Sequence, residues 1–132
     1  MSLVLDLPWP SPRLSPNARV HWSMRCRATK RYRMDCYLLA LDQTPHDLRE
    51  RIRASDDLPI RIDFYPPDRR ARDDDNLIAS FKSGRDGLAH AWGIDDRHIR
   101  VAGVCLHETP TPKGCVRITV WDGAGSRSNG DE

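Results

Sequence analysis

The stretch from 23 to 43 contains neither glycine nor proline, although the 132-residue chain has eight glycines and ten prolines. Within it Ala28, Tyr32, Cys36 and Leu39 recur at helical spacing. The stretch therefore predicts an amphipathic helix, with its basic residues concentrated in the first half. A helix of this length needs a partner layer for its apolar side, which constrains the rest of the fold.

Four other segments alternate apolar and polar side chains, the pattern of a strand with one buried face. They lie at about 3–7, 60–65, 99–106 and 116–121. A second helix is predicted from about Asp75 to Trp92, because its apolar residues lie near one stripe and Gly93 is a natural stop. The segment 46–57 is polar and is compatible with a short helix or a loop.

The resulting order, β-α-β-α-β-β, predicts a single α+β domain with a small mixed sheet and two main helices packed against it. The domain is expected to span residues 1–122, and the Gly/Ser-rich segment 123–132 is predicted to be disordered. The prolines and glycine of Thr109–Gly114 predict a hairpin-like connection between the last two strands, and Gly103 a bulge. Trp92 and Trp121 are expected in core or dimer contacts.

Apolar runs in the chain are far shorter than the ~18–20 residues of a membrane span, and the N-terminus lacks the pattern of a signal peptide. We therefore expect a cytoplasmic protein that does not contact membranes and whose four cysteines are reduced. The cysteines are not arranged in C-x-x-C units, so the spacing disfavours zinc, although distant residues could assemble a site.

The net charge is only +2, but its distribution is uneven. Between Arg13 and Arg33 there are seven arginines and lysines and no acid. Such a block suits a phosphate-rich partner, or it forms a solvated face. Lys30 and Arg31 are candidates for phosphate contacts on the predicted first helix, and could equally face solvent.

The acidic run Arg72–Asn76 is the main candidate site. In an extended segment Asp73 and Asp75 point to the same side, so they could share a hard cation such as Mg²⁺. A third carboxylate is available from Asp95 or Asp96 at the far end of the predicted helix. The competing interpretation is an acidic helix start, in which these residues cap the helix and complement its dipole.

Basic residues surround this run. Arg69, Arg70 and Arg72 precede the acids and could bind phosphates through charge-assisted forks. Lys82 follows Asp75 by seven residues, or about two helical turns, where it could stabilise charge or protonate a leaving oxygen. Hydrolysis of a phosphodiester requires carboxylates that bind a metal ion and, next to them, basic residues that bind the phosphate. The run and its flanking arginines together meet this requirement.

A longer motif carries a family resemblance. Its parts are the stretch from Pro67 to Leu77, then Lys82, the segment Asp86–Leu88 and the segment Gly93–Asp96, with Leu7–Pro10, Asn17 and His21–Trp22 upstream. Together they resemble the RusA family of Holliday-junction resolvases, which are crossover junction endodeoxyribonucleases found also in phages and prophages. The resemblance covers about residues 3–122.

The resemblance implies a RusA-like fold, a homodimer, Mg²⁺ dependence with Mn²⁺ as a substitute, and paired nicks across four-way DNA junctions. The metal-binding and catalytic aspartates fall on Asp73, Asp75 and Asp96, and the preceding basic residue on Arg72. The chain departs from the family at Ala79, where the best-known members carry the catalytic lysine. Counting back from Asp86 moves that role to Lys82.

The sequence therefore predicts a Mg²⁺-dependent, structure-selective DNA endonuclease of recombination and repair. Two alternatives stay open. One is a non-catalytic protein that binds branched or double-stranded DNA through the basic loop and first helix. The other is an ordinary α+β domain whose acids are helix caps.

Overall fold

A computed structural model describes residues 2–121 of the chain. The segment 123–132, predicted to be disordered, lies outside the described residues. In chain order the helices and strands are β1 (Ser2–Leu7), α1 (Trp22–Gln43), α2 (His46–Arg53), β2 (Leu58–Tyr65), α3 (Asp74–Ser80), α4 (Lys82–Trp92), β3 (Ile99–Leu106) and β4 (Cys115–Trp121). Short 3₁₀ turns occur at Pro12–Leu14 and Asp96–His98.

The four strands form one mixed sheet in the order β1-β4-β2-β3. β4 pairs antiparallel with both β1 and β2, whereas β2 and β3 run parallel. The predicted α+β class and mixed sheet are confirmed. No helix within residues 2–121 combines the length and apolar character needed to cross a membrane.

One face of the sheet is covered by helices and holds the core. The alternating residues predicted for the strands are buried there, among them Leu5, Ile62, Phe64 and Ile118. From α1, Tyr32 and Cys36 are buried as expected from their helical spacing, whereas Ala28 and Leu39 are only partly buried and Ala40 is the third buried residue. The opposite face of the sheet, which we call the outer face, carries the polar alternates of the strands.

Two tryptophans predicted in core or dimer contacts differ in burial. Trp92 is fully buried and its indole Nε1 donates to Thr44 Oγ1 at 3.1 Å, so its place in the core is confirmed. Trp121 is 39% exposed at the end of β4, so it is not a core residue. Trp121 is exposed because it is one of the alternating residues of β4 whose side chains point away from the core.

The single helix predicted from Asp75 to Trp92 is wrong, because two helices meet at Phe81. At this junction the Phe81 side chain is only 1% exposed and packs edge-on against the rings of Tyr32 and Phe64. At the break the aromatic side chain of Phe81 enters the core. Helical periodicity does not reveal a break of one residue.

The connection Thr109–Gly114 was predicted to be hairpin-like, and this is also wrong. β3 and β4 are not neighbours, because β2 lies between them. The connection passes the end of β2, where Thr111 N donates to Pro66 O at 2.8 Å. The bulge predicted at Gly103 is confirmed, since the register with β2 shifts between Ile60 and Arg61, opposite Gly103.

Candidate functional site

The acidic run begins α3. Asp73 is the residue before the helix, and its Oδ1 accepts a hydrogen bond from Asp75 N at 2.8 Å. Asp74 and Asp75 occupy the first turn, where carboxylates complement the helix dipole. The extended geometry assumed for these residues ends at Asp73, because the helix starts at Asp74. Capping therefore accounts for one oxygen of Asp73, while all three side chains remain exposed.

The three acids lie on different sides of α3. Asp73 lines a cleft with Asn76 and Leu77, whereas Asp74 lines a neighbouring cleft beside His107. Asp75 stands three and four residues before Ile78 and Ala79, so it belongs to the helix face that those residues form. Asp74 therefore lines a different cleft from Asp73.

A further cleft contains the predicted lysine and the distant aspartate. Lys82 and Asp96 line it together with Ile78 and Ala79 of α3. Ala79, the position of the family's lysine, thus opens into the same cleft as Lys82. The face of α3 that begins at Asp75 leads directly to this cleft. We call it the Lys82 cleft.

Asp96 reaches the Lys82 cleft because the chain reverses after α4. Gly93 ends the helix with a left-handed φ of 68°, which glycine adopts without strain. Arg85 then fixes the returning chain, since its Nη2 donates to Ile99 O at 2.6 Å. Asp95 caps the 3₁₀ turn by accepting from Arg97 N at 3.0 Å, and this hydrogen bond lowers the pKa of Asp95.

The spacing of the acids decides whether they fit Mg²⁺. Within residues 2–121, three ligand atoms from histidine, cysteine or acids lie within 4.8 Å of one another only at Asp63, Cys105 and His107. Asp73, Asp75 and Asp96 are therefore more widely spread. Ligands of one Mg²⁺ lie at most about 4.2 Å apart, since each bond is about 2.1 Å. As arranged, the three aspartates do not bind one ion directly.

A looser arrangement does fit. Mg²⁺ keeps several waters and usually takes only one or two carboxylates from the protein. Asp96 lines the Lys82 cleft and Asp75 begins the helix face that leads to it, so both exposed carboxylates offer hard oxygen donors there. These two residues would hold the ion, while Asp73, which lines a different cleft, would act on it only through its charge.

Arg72 performs a structural task. Its guanidinium donates to Asp68 Oδ1 at 2.7 Å and to Arg70 O at 3.0 Å, and it lies over the Trp9 ring at 5.3 Å. The side chain is only 16% exposed. The backbone amide of Arg70 and the Arg72 side chain also lower the pKa of Asp68. Arg72 therefore shapes the basic loop. Its guanidinium is engaged by these contacts and is not open to bind DNA directly, as had been predicted.

Three clefts that share lining residues form one surface, which runs from α1 past the start of α3 to His107 beyond the end of β3. The cleft lined by Asp74 shares Arg70 and Arg72 with the cleft lined by Asp73. The latter shares Trp9 and Ser11 with a third cleft that lies against α1. We call this continuous surface the arginine groove. Its arginines are Arg13, Arg27, Arg31, Arg69, Arg70 and Arg72.

Some of the residues predicted to contact DNA line this groove, and one does not. Arg69, Arg70 and Arg31 line it, and the Arg70 side chain is 82% exposed. Lys30 is exposed on α1 but does not line any of the three clefts. Arg27 lines the groove and was missed, although its spacing of four residues from Arg31 would have placed both on one helix face.

A second group was missed altogether. On the outer face of the sheet, Asp63 is only 7% exposed and its Oδ1 lies 2.9 Å from His107 Nε2. Arg61 donates to the same carboxylate at 3.2 Å, and Cys105 lies alongside. Burial raises the pKa of Asp63, but the hydrogen bonds from His107 and Arg61 outweigh it and the pKa is lowered. Strand alternation places Asp63 outward, but it does not show what covers it.

No protein-family model matches the chain. A protein of Xylella fastidiosa (strain Temecula1 / ATCC 700964), described as an uncharacterized protein, is 43% identical to it over 126 residues. The match covers 96% of this chain and 80% of the Xylella protein. The chain belongs to the family of this Xylella protein. The description of the Xylella protein names no activity. The resemblance to resolvases therefore stays a prediction from the motifs.

Proposed function

We propose that this chain is a Mg²⁺-dependent, structure-selective DNA endonuclease that resolves four-way junctions by paired nicks, as expected of a RusA-like protein. The observation that carries the proposal is the Lys82 cleft. There Lys82 and Asp96, which are 14 positions apart in the sequence, meet Ala79 on the helix face that starts at Asp75. Lys82 would thereby replace, from the following turn, the lysine that is absent at Ala79.

The residues around this cleft would divide the work. The Lys82 ammonium would stabilise charge on the scissile phosphate or protonate the leaving oxygen. Asp75 and Asp96 would hold Mg²⁺, which supplies Lewis-acid polarisation and an acidified water when bound. Mn²⁺ would substitute for it. Arg69 and Arg70 would bind flanking phosphates, since arginine forms charge-assisted forks with them.

A homodimer follows from the reaction. Two strands of a junction must be cut, whereas one chain offers one acidic run with one Lys82 cleft. The arginine groove would then let each subunit hold one arm of the branched DNA. We place this activity in the cytoplasm, in DNA recombination and repair and in a prophage setting.

A second candidate is a non-catalytic protein that binds branched DNA. The spread of Asp73, Asp75 and Asp96 favours it, because no three of the acids are arranged to bind one ion directly. Such a protein would use the arginine groove without the acids. It would bind junctions equally well in EDTA, and it would cut them under no condition.

The deciding experiment is cleavage of a synthetic four-way junction with Mg²⁺ or Mn²⁺. Wild type is expected to nick opposite strands, and Asp75→Asn and Asp96→Asn are expected to abolish nicking without loss of junction binding. Lys82→Ala should lower the rate by about 10²–10⁴-fold, the usual size of a lost proton donor. Asp42→Asn, which neutralises an exposed carboxylate on α1 away from the clefts, is the matched control and should cut normally.

Equal cutting by wild type and Asp75→Asn would overturn the catalytic assignment. Junction binding without cutting by the wild type, with either metal, would establish the second candidate instead.

A further inference from the structure

Asp63, Cys105 and His107 meet on the outer face of the sheet, opposite the helices. Cys105 on β3 is the register partner of Asp63 on β2, so both side chains point to the same face. His107 follows Cys105 by two residues and keeps that direction. Its backbone N donates to Phe64 O at 2.9 Å, which continues the strand pairing past the end of β3.

The three side chains are held in place. Their ligand atoms all lie within 4.8 Å of one another, and His107 Nε2 is 2.9 Å from Asp63 Oδ1. The imidazole stacks on the Tyr65 ring at a centroid distance of 4.1 Å and an angle of 10°. The Asp63 side chain is only 9% exposed, whereas that of His107 is 31% exposed. The cluster is thus rigid on one side and open to solvent on the other.

We propose that Asp63, Cys105 and His107 form a binding site for one Zn²⁺ or a similar borderline-soft divalent ion. Thiolate, imidazole and carboxylate are the ligands that Zn²⁺ takes in proteins, and three of them leave a fourth position for water. This set of donors differs from the hard oxygens at the Lys82 cleft, so the two sites would select different metals. The proposal does not rest on nuclease activity.

The required movement is small. Zn²⁺ bonds of about 2.0–2.3 Å in a tetrahedron place ligand atoms roughly 3.4–3.8 Å apart. The existing separations, none above 4.8 Å, therefore need to shorten by at most about 1.4 Å, and the 2.9 Å between His107 Nε2 and Asp63 Oδ1 needs to lengthen by about 0.5 Å. Side-chain rotation can supply this shift, because His107 and Cys105 lie on the edge strand and its continuation.

Arg61 competes with a metal for this position. Its Nε and Nη2 both donate to Asp63 at 3.2 Å. The Arg61 side chain is 49% exposed, so it can leave the cluster and enter solvent. A bound ion would displace it, and removing the guanidinium should therefore strengthen metal binding.

The test is a titration of the purified full chain with Co²⁺, which reports a thiolate ligand by a near-ultraviolet charge-transfer band, followed by displacement with Zn²⁺. One Co²⁺ per chain and a thiolate band are expected. Cys105→Ser should abolish the band. Cys115→Ser is the matched control, because Cys115 lies on the same face with its Sγ 3.8 Å from Asp6 Oδ1 and outside the cluster, and it should keep the band.

Calorimetric titration with Zn²⁺ adds a second measurement. Asp63→Asn and His107→Ala should weaken binding at least about tenfold, the minimum loss seen even for groups behind the ligands. Arg61→Ala should strengthen it about two- to fivefold, the size of an exposed ion pair. Circular dichroism of each variant checks its fold. A missing band in wild type, a band retained in Cys105→Ser, or weaker binding by Arg61→Ala would overturn the site.

Discussion

At the scale of the residue, Gly87 sets how closely α4 approaches α1. A Cβ at this position would lie 2.4 Å from the Arg33 carbonyl oxygen and 3.1 Å from Tyr37 N. These are backbone atoms inside a helix, so they cannot rotate away. We therefore expect Gly87→Ala to destabilise the fold by about 1–3 kcal/mol, the usual cost of overpacking, although alanine is the better helix former.

The measurement is urea denaturation followed by circular dichroism. Gly103→Ala is the control, because the nearest atom to its added Cβ is Arg61 Cγ at 4.0 Å. That variant should stay within about 0.5 kcal/mol of wild type. A Gly87→Ala protein as stable as Gly103→Ala would show that the two helices separate easily.

At the scale of the element, the start of α3 combines capping with the proposed metal site. Asp73→Ala removes the hydrogen bond to Asp75 N and should cost about 1 kcal/mol. Asp73→Asn keeps that hydrogen bond, since asparagine caps as well as aspartate, but it removes the charge. We expect Asp73→Asn to be nearly as stable as wild type and to cut junctions more slowly.

Thermal denaturation and junction cleavage of the two variants separate these roles. If Asp73→Asn cuts at the rate of wild type, Asp73 is only a cap and metal binding falls to Asp75 and Asp96 alone. If both variants are equally stable, the hydrogen bond to Asp75 N contributes little to α3.

Helices and strands with strong periodicity were predictable from the sequence. Their order in the sheet and the contacts between them were not. The long helix α1 and all four strands follow from spacing alone, because burial of one side imposes that pattern. The break at Phe81 and the passage of the chain past β2 depend on contacts between distant segments. Lys82 and Asp96 were found as candidates because they lie in the motif that carries the family resemblance. The contact of Asp63 with His107, 44 positions apart, belongs to no motif and was not found.

At the scale of the whole molecule, the sheet separates two kinds of surface. The helices and the part of the arginine groove against α1 lie on one side, and the far end of the groove reaches His107 at the edge of the outer face. Elsewhere the outer face pairs its charges internally. Arg117 shows this pairing, since its Nε donates to Asp6 Oδ1 at 2.8 Å and its guanidinium lies over the Tyr65 ring at 5.3 Å. DNA is therefore expected on the helix side, where Arg27 lines the groove and Arg70 is largely exposed.

The dependence of junction binding on salt tests this division. Each neutralised phosphate contributes about −0.9 to the slope of log affinity against log salt concentration. Arg27→Ala should therefore make the slope shallower by about 0.9, if Arg27 contacts one phosphate. Arg117→Ala removes the same charge from the outer face and should leave the slope unchanged. Fluorescence anisotropy in EDTA measures binding without cleavage. A larger change in slope for Arg117→Ala than for Arg27→Ala would show that DNA binds to the outer face instead.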